Sequence, residues 1–170
     1  MTSRVVFDCM VFLQGAACPD GPAAACLRLA ERGYVELCLS TEVLREVREV
    51  LSRPKIRQRF PALTDETLTT FFARLNRFAQ FVGEVPRVAP LPRDPKDEKY
   101  LDLAVAAGAS YLVSYDNDLL DLMDEQRSEG RAFRASFPQI TIHDPVSFLR
   151  TLSVLPPDSE RDGRDRKSVV

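Results

Sequence analysis

The sequence contains no tryptophan, only one histidine, and four cysteines with no CxxC pair among its 170 residues. A structural zinc site needs several histidines or paired cysteines, so the chain lacks the ligands for one. The single histidine, His143, precedes Asp144 and Pro145, a pattern typical of a junction between a strand and a helix. We therefore interpret His143 as structural, and we expect the cysteines to be the reduced thiols of a cytoplasmic protein.

Long apolar runs and a strong charge of one sign are also missing. No run approaches the roughly 18 apolar residues that a membrane span needs, and the first residues lack a signal-peptide pattern, so we expect no membrane association. The net charge of -2 provides no overall attraction to nucleic acid. Any contact with phosphate must then come from a local basic patch or from bound cations.

Short apolar segments alternate with helical patterns along the chain, of which 45% is hydrophobic. Strands are predicted at 5–7, 35–39, 111–114 and 139–142, and helices at 23–32, 41–51, 64–80, 94–108, 119–123 and 145–152. Segments 9–22 and 87–92 are predicted to be loops, and 125–137 has no clear pattern. The alternation predicts an α/β fold of three layers, α/β/α, with a central parallel sheet. We expect one domain over residues 1–153 and a disordered tail over 154–170.

Two aspartates follow predicted strands. Asp8 comes directly after the first strand, and Asp116 follows the third. Ligands gather at the carboxyl ends of the strands in parallel sheets, so both side chains are candidates for a site at that edge. Capping of a turn or of the next helix explains either residue alone equally well.

A glutamate on the helix predicted over 41–51 is a third candidate. At about 100° per residue, Glu46 lies roughly 110° from the centre of the apolar stripe, whereas Glu42 and Glu49 lie roughly 150° and 170° away. Glu46 is therefore the acid placed at the border of the buried surface. A solvated flank of the helix is an equally good explanation of this spacing.

A fourth acid stands at the start of the helix predicted over 94–108. Asp97 is expected to face inward more than Glu98 or Asp102 does, because apolar residues continue its helical face. Asp94 suits the N-cap of this helix, and Asp97 suits the third position of a capping box. Capping and metal contact at a helix start are compatible roles.

Several carboxylates at one edge repel each other unless a cation neutralises them. Oxygen ligands suit Mg²⁺ or Mn²⁺. A metal held in this way lowers the pKa of bound water and stabilises the charge that develops on a phosphate. The pattern therefore favours hydrolysis of phosphodiester bonds.

Four ordered motifs resemble the PIN-domain ribonucleases, including VapC-like toxins of bacterial toxin–antitoxin modules. These motifs are VVFD at 5–8, STEVLREV at 40–47, DPKD at 94–97 and LVSYDNDLL at 112–120, and LSRPK at 51–55 is similar to one toxin branch of the family. The resemblance extends from Arg4 to about Leu152. It implies a Mg²⁺- or Mn²⁺-dependent endoribonuclease that acts on RNA, is blocked by an antitoxin protein and forms a homodimer. The catalytic and metal-binding acids that it implies are Asp8, Glu46, Asp97 and Asp116, with Asp118 as an accessory metal ligand.

The chain departs from this family immediately after Asp8. The family usually continues with Thr or Ser and then Asn, whereas Cys9 and Met10 stand here. This departure favours an alternative, a catalytically weakened PIN fold that binds RNA or protein. A third possibility, a phosphotransfer domain with an aspartate nucleophile, needs a second aspartate at the position of Met10.

Basic and aromatic residues complete the set of candidates. The densest basic segment is either a track for RNA phosphates or an ordinary solvated surface. It comprises Arg45, Arg48, Arg53, Lys55, Arg57 and Arg59. Four phenylalanines at helical spacing, Phe71, Phe72, Phe78 and Phe81, are expected in the core.

Overall fold

A computed structural model describes residues 2–88 and 94–154, which form a parallel sheet with helices on both faces. The strands are β1 (Arg4–Phe7), β2 (Glu36–Leu39), β3 (Gln80–Phe81), β4 (Tyr111–Val113) and β5 (Thr141–His143). They lie in the order β3-β2-β1-β4-β5, and every neighbouring pair is parallel.

Helices connect these strands. They are α1 (Cys9–Ala17), α2 (Pro22–Glu31), α3 (Thr41–Ser52), α4 (Pro54–Arg59), α5 (Asp65–Phe78), α6 (Glu98–Ala107), α7 (Asn117–Leu120), α8 (Ser128–Ser136) and α9 (Pro145–Val154), with 3-10 turns at Pro95–Asp97 and Asp121–Met123. Helix α6 packs against β1, β2 and β4, whereas α2 packs against α1 and α9. The predicted three-layer α/β/α fold with a central parallel sheet is confirmed.

The central strand β1 shows why both faces must be covered. Val5, Val6 and Phe7 are completely buried, a continuous apolar run typical of a strand between two helical layers. The ring of Phe7 makes edge contacts with Phe12 of α1 and Phe148 of α9, at centroid distances of 5.9 and 6.3 Å. These contacts fix the start of α1 over the end of β1, directly after Asp8.

The prediction of a loop over residues 9–22 was wrong, because α1 occupies residues 9–17. Val11, Phe12 and Leu13 are all buried, so the helix has no polar face and shows no amphipathic period. Gly15 lies where α1 and α2 pack closely. A Cβ atom at position 15 would lie 2.3 Å from Leu27 Cδ1.

Three short elements, α4, α8 and β3, were not predicted. Arg57 holds α4 against the start of α5: its guanidinium donates to the carbonyl oxygen of Leu63 at 3.0 Å and contacts Asp65 at 2.5 Å. Phe81 of β3 is half exposed, so the prediction that it lies in the core was wrong, whereas Phe71 and Phe72 are buried.

Other sequence-based expectations agree with the structure. The helix predicted over 94–108 ends where expected, with Gly108 as its left-handed C-cap at φ 63°. The four cysteines are free thiols. Residues 89–93 and 155–170 lie outside the described residues, so the predictions of an irregular connection over 87–92 and of a disordered tail remain predictions for those positions.

Candidate metal centre

The candidate site lies where the order of strand addition to the sheet reverses. The chain runs from β1 outward to β2 and β3 and then returns to β4 on the opposite side of β1. Such a reversal opens a crevice at the carboxyl ends of the two adjacent strands. Phe7 is paired with Val113, so the residues that follow them, Asp8 and Ser114, lie side by side at this edge.

Asp8 is buried, with only 4% of its surface exposed, and its carboxylate accepts several hydrogen bonds. Its Oδ1 accepts from the backbone N–H of Val11 at 3.0 Å, which caps α1. Its Oδ2 accepts from the Ser114 hydroxyl and from the backbone N–H of Tyr115, the latter at 3.2 Å. Burial raises the pKa of Asp8 to about 6 although these hydrogen bonds lower it, and the charge of Asp116 adds to the rise. Asp8 therefore caps α1 and also lies beside Ser114 at this edge of the sheet.

Ser114 joins the two aspartates and was missed by the sequence reasoning. Its buried hydroxyl donates to Asp8 and accepts a hydrogen bond from the backbone N–H of Asp116 at 2.9 Å. The signal was a serine two residues before Asp116, a spacing at which a hydroxyl often bonds its own backbone. This geometry sets the position of both acids relative to β4.

Three carboxylates converge at the mouth of this crevice. One oxygen each of Asp94, Asp97 and Asp116 lies within 4.8 Å of the others. Burial raises the pKa of Asp97 to about 8, with further increases from the carboxyls of Asp116, Asp94 and Asp8. Within residues 2–88 and 94–154, no group donates a hydrogen bond to its buried Oδ2. A hydrogen bond between Asp97 and Asp116 needs a proton on one of them, so this cluster is complete only with a proton or a cation.

Asp94 makes a capping hydrogen bond, as predicted, whereas Asp97 does not. Asp94 caps the 3-10 turn by accepting from the backbone N–H of Lys96 at 3.0 Å. Asp97 stands at the N-cap of α6 but makes no capping hydrogen bond, so the capping-box role was wrong for its side chain. Asp94 is thus a site residue that the sequence reasoning treated as a cap alone.

Asp102 is more buried than Asp97, so the expectation that Asp97 faces inward more was wrong. Asp102 is buried, and its Oδ1 accepts from the backbone N–H of Val88 at 2.9 Å. This bond ties α6 to the segment that precedes residues 89–93. Asp102 is therefore buried for a structural reason, away from the group that Asp97 joins.

Glu46 lies half-buried on α3, at the border that its helical position predicted, while Glu42 and Glu49 are exposed. Its two carboxylate oxygens face different donors. Oε1 accepts from the hydroxyl of Tyr100, and Oε2 forms an ion pair with Lys99.

Tyr100 links Glu46 to the start of α1. Its hydroxyl also accepts from the backbone N–H of Cys9 at 3.1 Å, so one oxygen bridges α3 and the residue after Asp8. Burial raises the pKa of Tyr100 above its usual range, and the hydroxyl therefore stays protonated. Sequence reasoning missed both Tyr100 and Lys99, because nothing in their spacing marks them as neighbours of Glu46.

The structure thus brings the predicted acids together to different degrees. Asp97 and Asp116 meet directly and are joined by Asp94. Asp8 is close enough for its charge to raise the pKa of Asp97. Asp118 donates its backbone N–H to Asp116 Oδ1 at 2.8 Å, and Glu46 approaches through Tyr100. Among the described residues, the group with oxygens within 4.8 Å does not contain the other predicted metal ligands, Asp8, Glu46 and Asp118.

Comparison with known proteins agrees with this arrangement. A family model described as PIN domain matches residues 4–118, more than half of the chain. The chain belongs to the PIN-domain family. No curated protein and no solved structure matches it. Membership indicates a nuclease-type function that uses a divalent metal, and the three clustered acids provide oxygen ligands for one.

The residues after Asp8 in this PIN domain are a buried thiol and an exposed thioether. Burial and the charge of Asp8 raise the pKa of Cys9 to about 12, so the thiol remains protonated. Met10 is 41% exposed. Asp8 takes its hydrogen bonds from Ser114, Tyr115 and Val11 rather than from these two side chains.

The basic segment of the PIN domain is partly structural. The guanidinium of Arg48 lies 4.4 Å from the ring centroid of Phe72, and Arg53 pairs with Glu49 at 2.9 Å. Arg57 holds α4 in place, as described above, whereas Lys55 is exposed. The exposed cations, and not the whole segment, are the candidates for phosphate contacts.

Two further features lie apart from the acids. A cleft of about 480 Å³ between α1, α2 and α5 is lined by residues such as Leu27, Phe71 and Phe78, and by none of the clustered acids. His143 packs its ring near Tyr111 and Phe148, in agreement with a structural role. Within residues 2–88 and 94–154, no helix is long and apolar enough to cross a membrane.

Proposed function

We propose that this PIN domain is a Mg²⁺- or Mn²⁺-dependent endoribonuclease that hydrolyses RNA phosphodiester bonds. The observation that carries the proposal is the buried Oδ2 of Asp97, which lies in a group of acids and accepts no hydrogen bond from any residue that the structure describes. A buried carboxylate oxygen without a partner is costly, and a divalent cation would remove that cost. The all-oxygen ligand set suits Mg²⁺ or Mn²⁺ better than zinc.

The proposed catalytic set consists of Asp8, Glu46, Asp97 and Asp116. Asp97 and Asp116 would hold the metal, with Asp94 as an added ligand and Asp118 as an accessory one. A metal bound there would lower the pKa of a bound water and would stabilise the charge that develops on the phosphate. The hydroxyl of Ser114 orients Asp8 and the backbone of Asp116 before any substrate binds.

RNA cleavage tests this proposal. The purified protein would be incubated with labelled single-stranded RNA in Mg²⁺, in Mn²⁺ and in EDTA, beside Asp116→Asn and the matched control Glu49→Gln. We expect metal-dependent cleavage by the parent and by Glu49→Gln, and a loss of about 100-fold or more in Asp116→Asn. Full cleavage by folded Asp116→Asn, with contaminating nuclease excluded, would reject the assigned site.

The proposal extends to the biological role of the nuclease. We infer that the protein is a cytoplasmic toxin of a toxin–antitoxin module, forms a homodimer and is blocked by an antitoxin; the motif order in the sequence supports this. Induced expression in a bacterial host should arrest growth, and Asp116→Asn should relieve the arrest. Light scattering should report twice the mass of one chain.

A weakened PIN fold that binds RNA or protein is the second candidate, favoured by Cys9 and Met10. It predicts RNA binding without metal-dependent cleavage. Binding and cleavage measured on the same RNA separate the two candidates. A nuclease forms cleavage products in the presence of metal and stops forming them when EDTA is added, whereas a binding module forms none in either condition.

A further inference from the structure

Lys99 places a cation beside Glu46. It stands two residues after Asp97 in the first turn of α6, and its ammonium pairs with Glu46 Oε2. The side chains of Lys99 and Glu46 are only 17% and 26% exposed, so water screens this pair less than it screens a surface ion pair.

The two sides of the site are therefore neutralised differently. Glu46 is paired with a cation of the chain itself. Burial and the carboxyls of Asp116, Asp94 and Asp8 raise the pKa of Asp97. Among the described residues, the carboxyls of Asp94, Asp97 and Asp116 face one another, whereas the charge of Glu46 is balanced by Lys99.

Both carboxylate oxygens of Glu46 are also engaged. Tyr100 donates to Oε1, and Tyr100 is held in turn by the backbone N–H of Cys9. Lys99 contacts Oε2. A divalent cation approaching Oε2 would meet the ammonium at short range, and two cations cannot share this oxygen without strong repulsion.

We propose that Lys99 is an internal counter-ion that competes with the divalent metal for Glu46, so that Glu46 becomes a metal ligand only when the ammonium leaves. This inference rests on the proposed metal site. It gives Lys99 a positioning role: without metal, the residue keeps Glu46 neutralised and in place, and it lowers the affinity of the site for metal.

The competition predicts a specific pattern of affinities. Removing the ammonium in Lys99→Met should tighten Mn²⁺ binding, but only while Glu46 can take the metal. In a Glu46→Gln background, the same substitution should have little effect. A long-range effect of charge would instead tighten binding equally in both backgrounds, since it does not need Glu46.

The experiment is a calorimetric titration of Mn²⁺ without RNA, at one pH and one ionic strength. The proteins are the parent, Lys99→Met, Glu46→Gln and the double variant, with Lys96→Met as the control for an exposed lysine nearby. We expect Lys99→Met to bind about fivefold tighter or more, and this gain to disappear in the double variant. Lys96→Met should change the affinity by less than about twofold, as expected for an exposed and screened charge.

Three results would overturn the inference or its basis. An unchanged affinity in Lys99→Met would show that the ammonium does not compete, and an equal gain in both backgrounds would show a long-range effect alone. A parent that binds no Mn²⁺ would instead reject the proposed metal site itself. Circular dichroism confirms folding; if Lys99→Met is unfolded, Lys99→Gln removes the charge while keeping a hydrogen-bond donor, and the same criteria apply.

Discussion

The hydroxyl of Ser114 donates a hydrogen bond to the carboxylate of Asp8, across neighbouring strands of the sheet. The same hydroxyl accepts from the backbone N–H of Asp116. One side chain thereby sets the positions of two acids that lie far apart in the sequence.

Replacement of Ser114 should affect both activity and stability. Ser114→Ala removes a donor from a buried carboxylate, so we expect a loss of about 1–3 kcal/mol in the free energy of unfolding. Cleavage should fall by about 10- to 100-fold, because Asp8 loses its orientation. Urea unfolding and cleavage rates measure the two effects, and Ser114→Thr, which keeps the hydroxyl, is the control. A Ser114→Ala variant with the activity of the parent would show that this hydrogen bond does not orient the site.

The departure from the family at positions 9 and 10 is tested by Cys9→Thr combined with Met10→Asn. If these side chains limit the reaction, cleavage in Mg²⁺ should increase without a change in the RNA that is chosen. Because other groups already donate to Asp8, we expect the increase to be smaller than about threefold. Rates in Mg²⁺ and in Mn²⁺, compared at matched folding, decide between these outcomes.

The raised pKa values of Asp8 and Asp97 predict that the metal-free protein loses stability as the pH rises. The folded state holds these protons more tightly than the unfolded state, in which the carboxyls have pKa values near 3.8. Their contribution to stability is therefore fully present below pH 3.8 and is lost as the pH rises through about 6 for Asp8 and about 8 for Asp97.

Asp97→Asn isolates the second of these losses. In EDTA, the urea midpoint of the parent should fall between pH 6 and 8, and the fall should be smaller in Asp97→Asn, which has no carboxyl to ionise at that position. Saturating Mn²⁺ should restore the stability of the parent at the higher pH. Identical pH profiles for parent and variant in EDTA would contradict the raised pKa of Asp97.

The exposed cations near α3 and α4 should contribute to RNA binding. Replacing Arg53, Lys55 and Arg59 with Ala should weaken binding and reduce the salt slope by about 0.7 for each RNA phosphate that is no longer neutralised. Arg57 is left intact because it holds α4 to α5. Fluorescence anisotropy with labelled RNA, measured over a salt series in EDTA, gives the slope. An unchanged slope would assign this segment to the ordinary solvated surface.

The parts of the site that could be predicted are those with a local pattern in the sequence. Asp8 directly follows β1 and Asp116 stands three residues after β4, so the parallel topology alone placed them at one edge. Glu46 was placed at the border of the buried surface by its angle on α3. The periodicity of that helix is strong enough for such an argument.

The remaining parts depend on contacts between distant segments. The bond from Cys9 to the Tyr100 hydroxyl spans 91 residues, and the pair of Lys99 with Glu46 spans 53. No local pattern encodes either contact. Helix α1 was missed for a related reason, because burial on several sides removed the polar face that marks a helix in sequence.

The central claim is that the clustered acids Asp94, Asp97 and Asp116 bind a divalent cation. Its most direct test is a crystal soaked in Mn²⁺, with anomalous scattering data collected for the parent and for Asp97→Asn. We predict an anomalous peak within coordination distance of the carboxylates of Asp97 and Asp116 in the parent, and its loss in the variant. A parent crystal at saturating Mn²⁺ with no peak at these two residues would contradict the account.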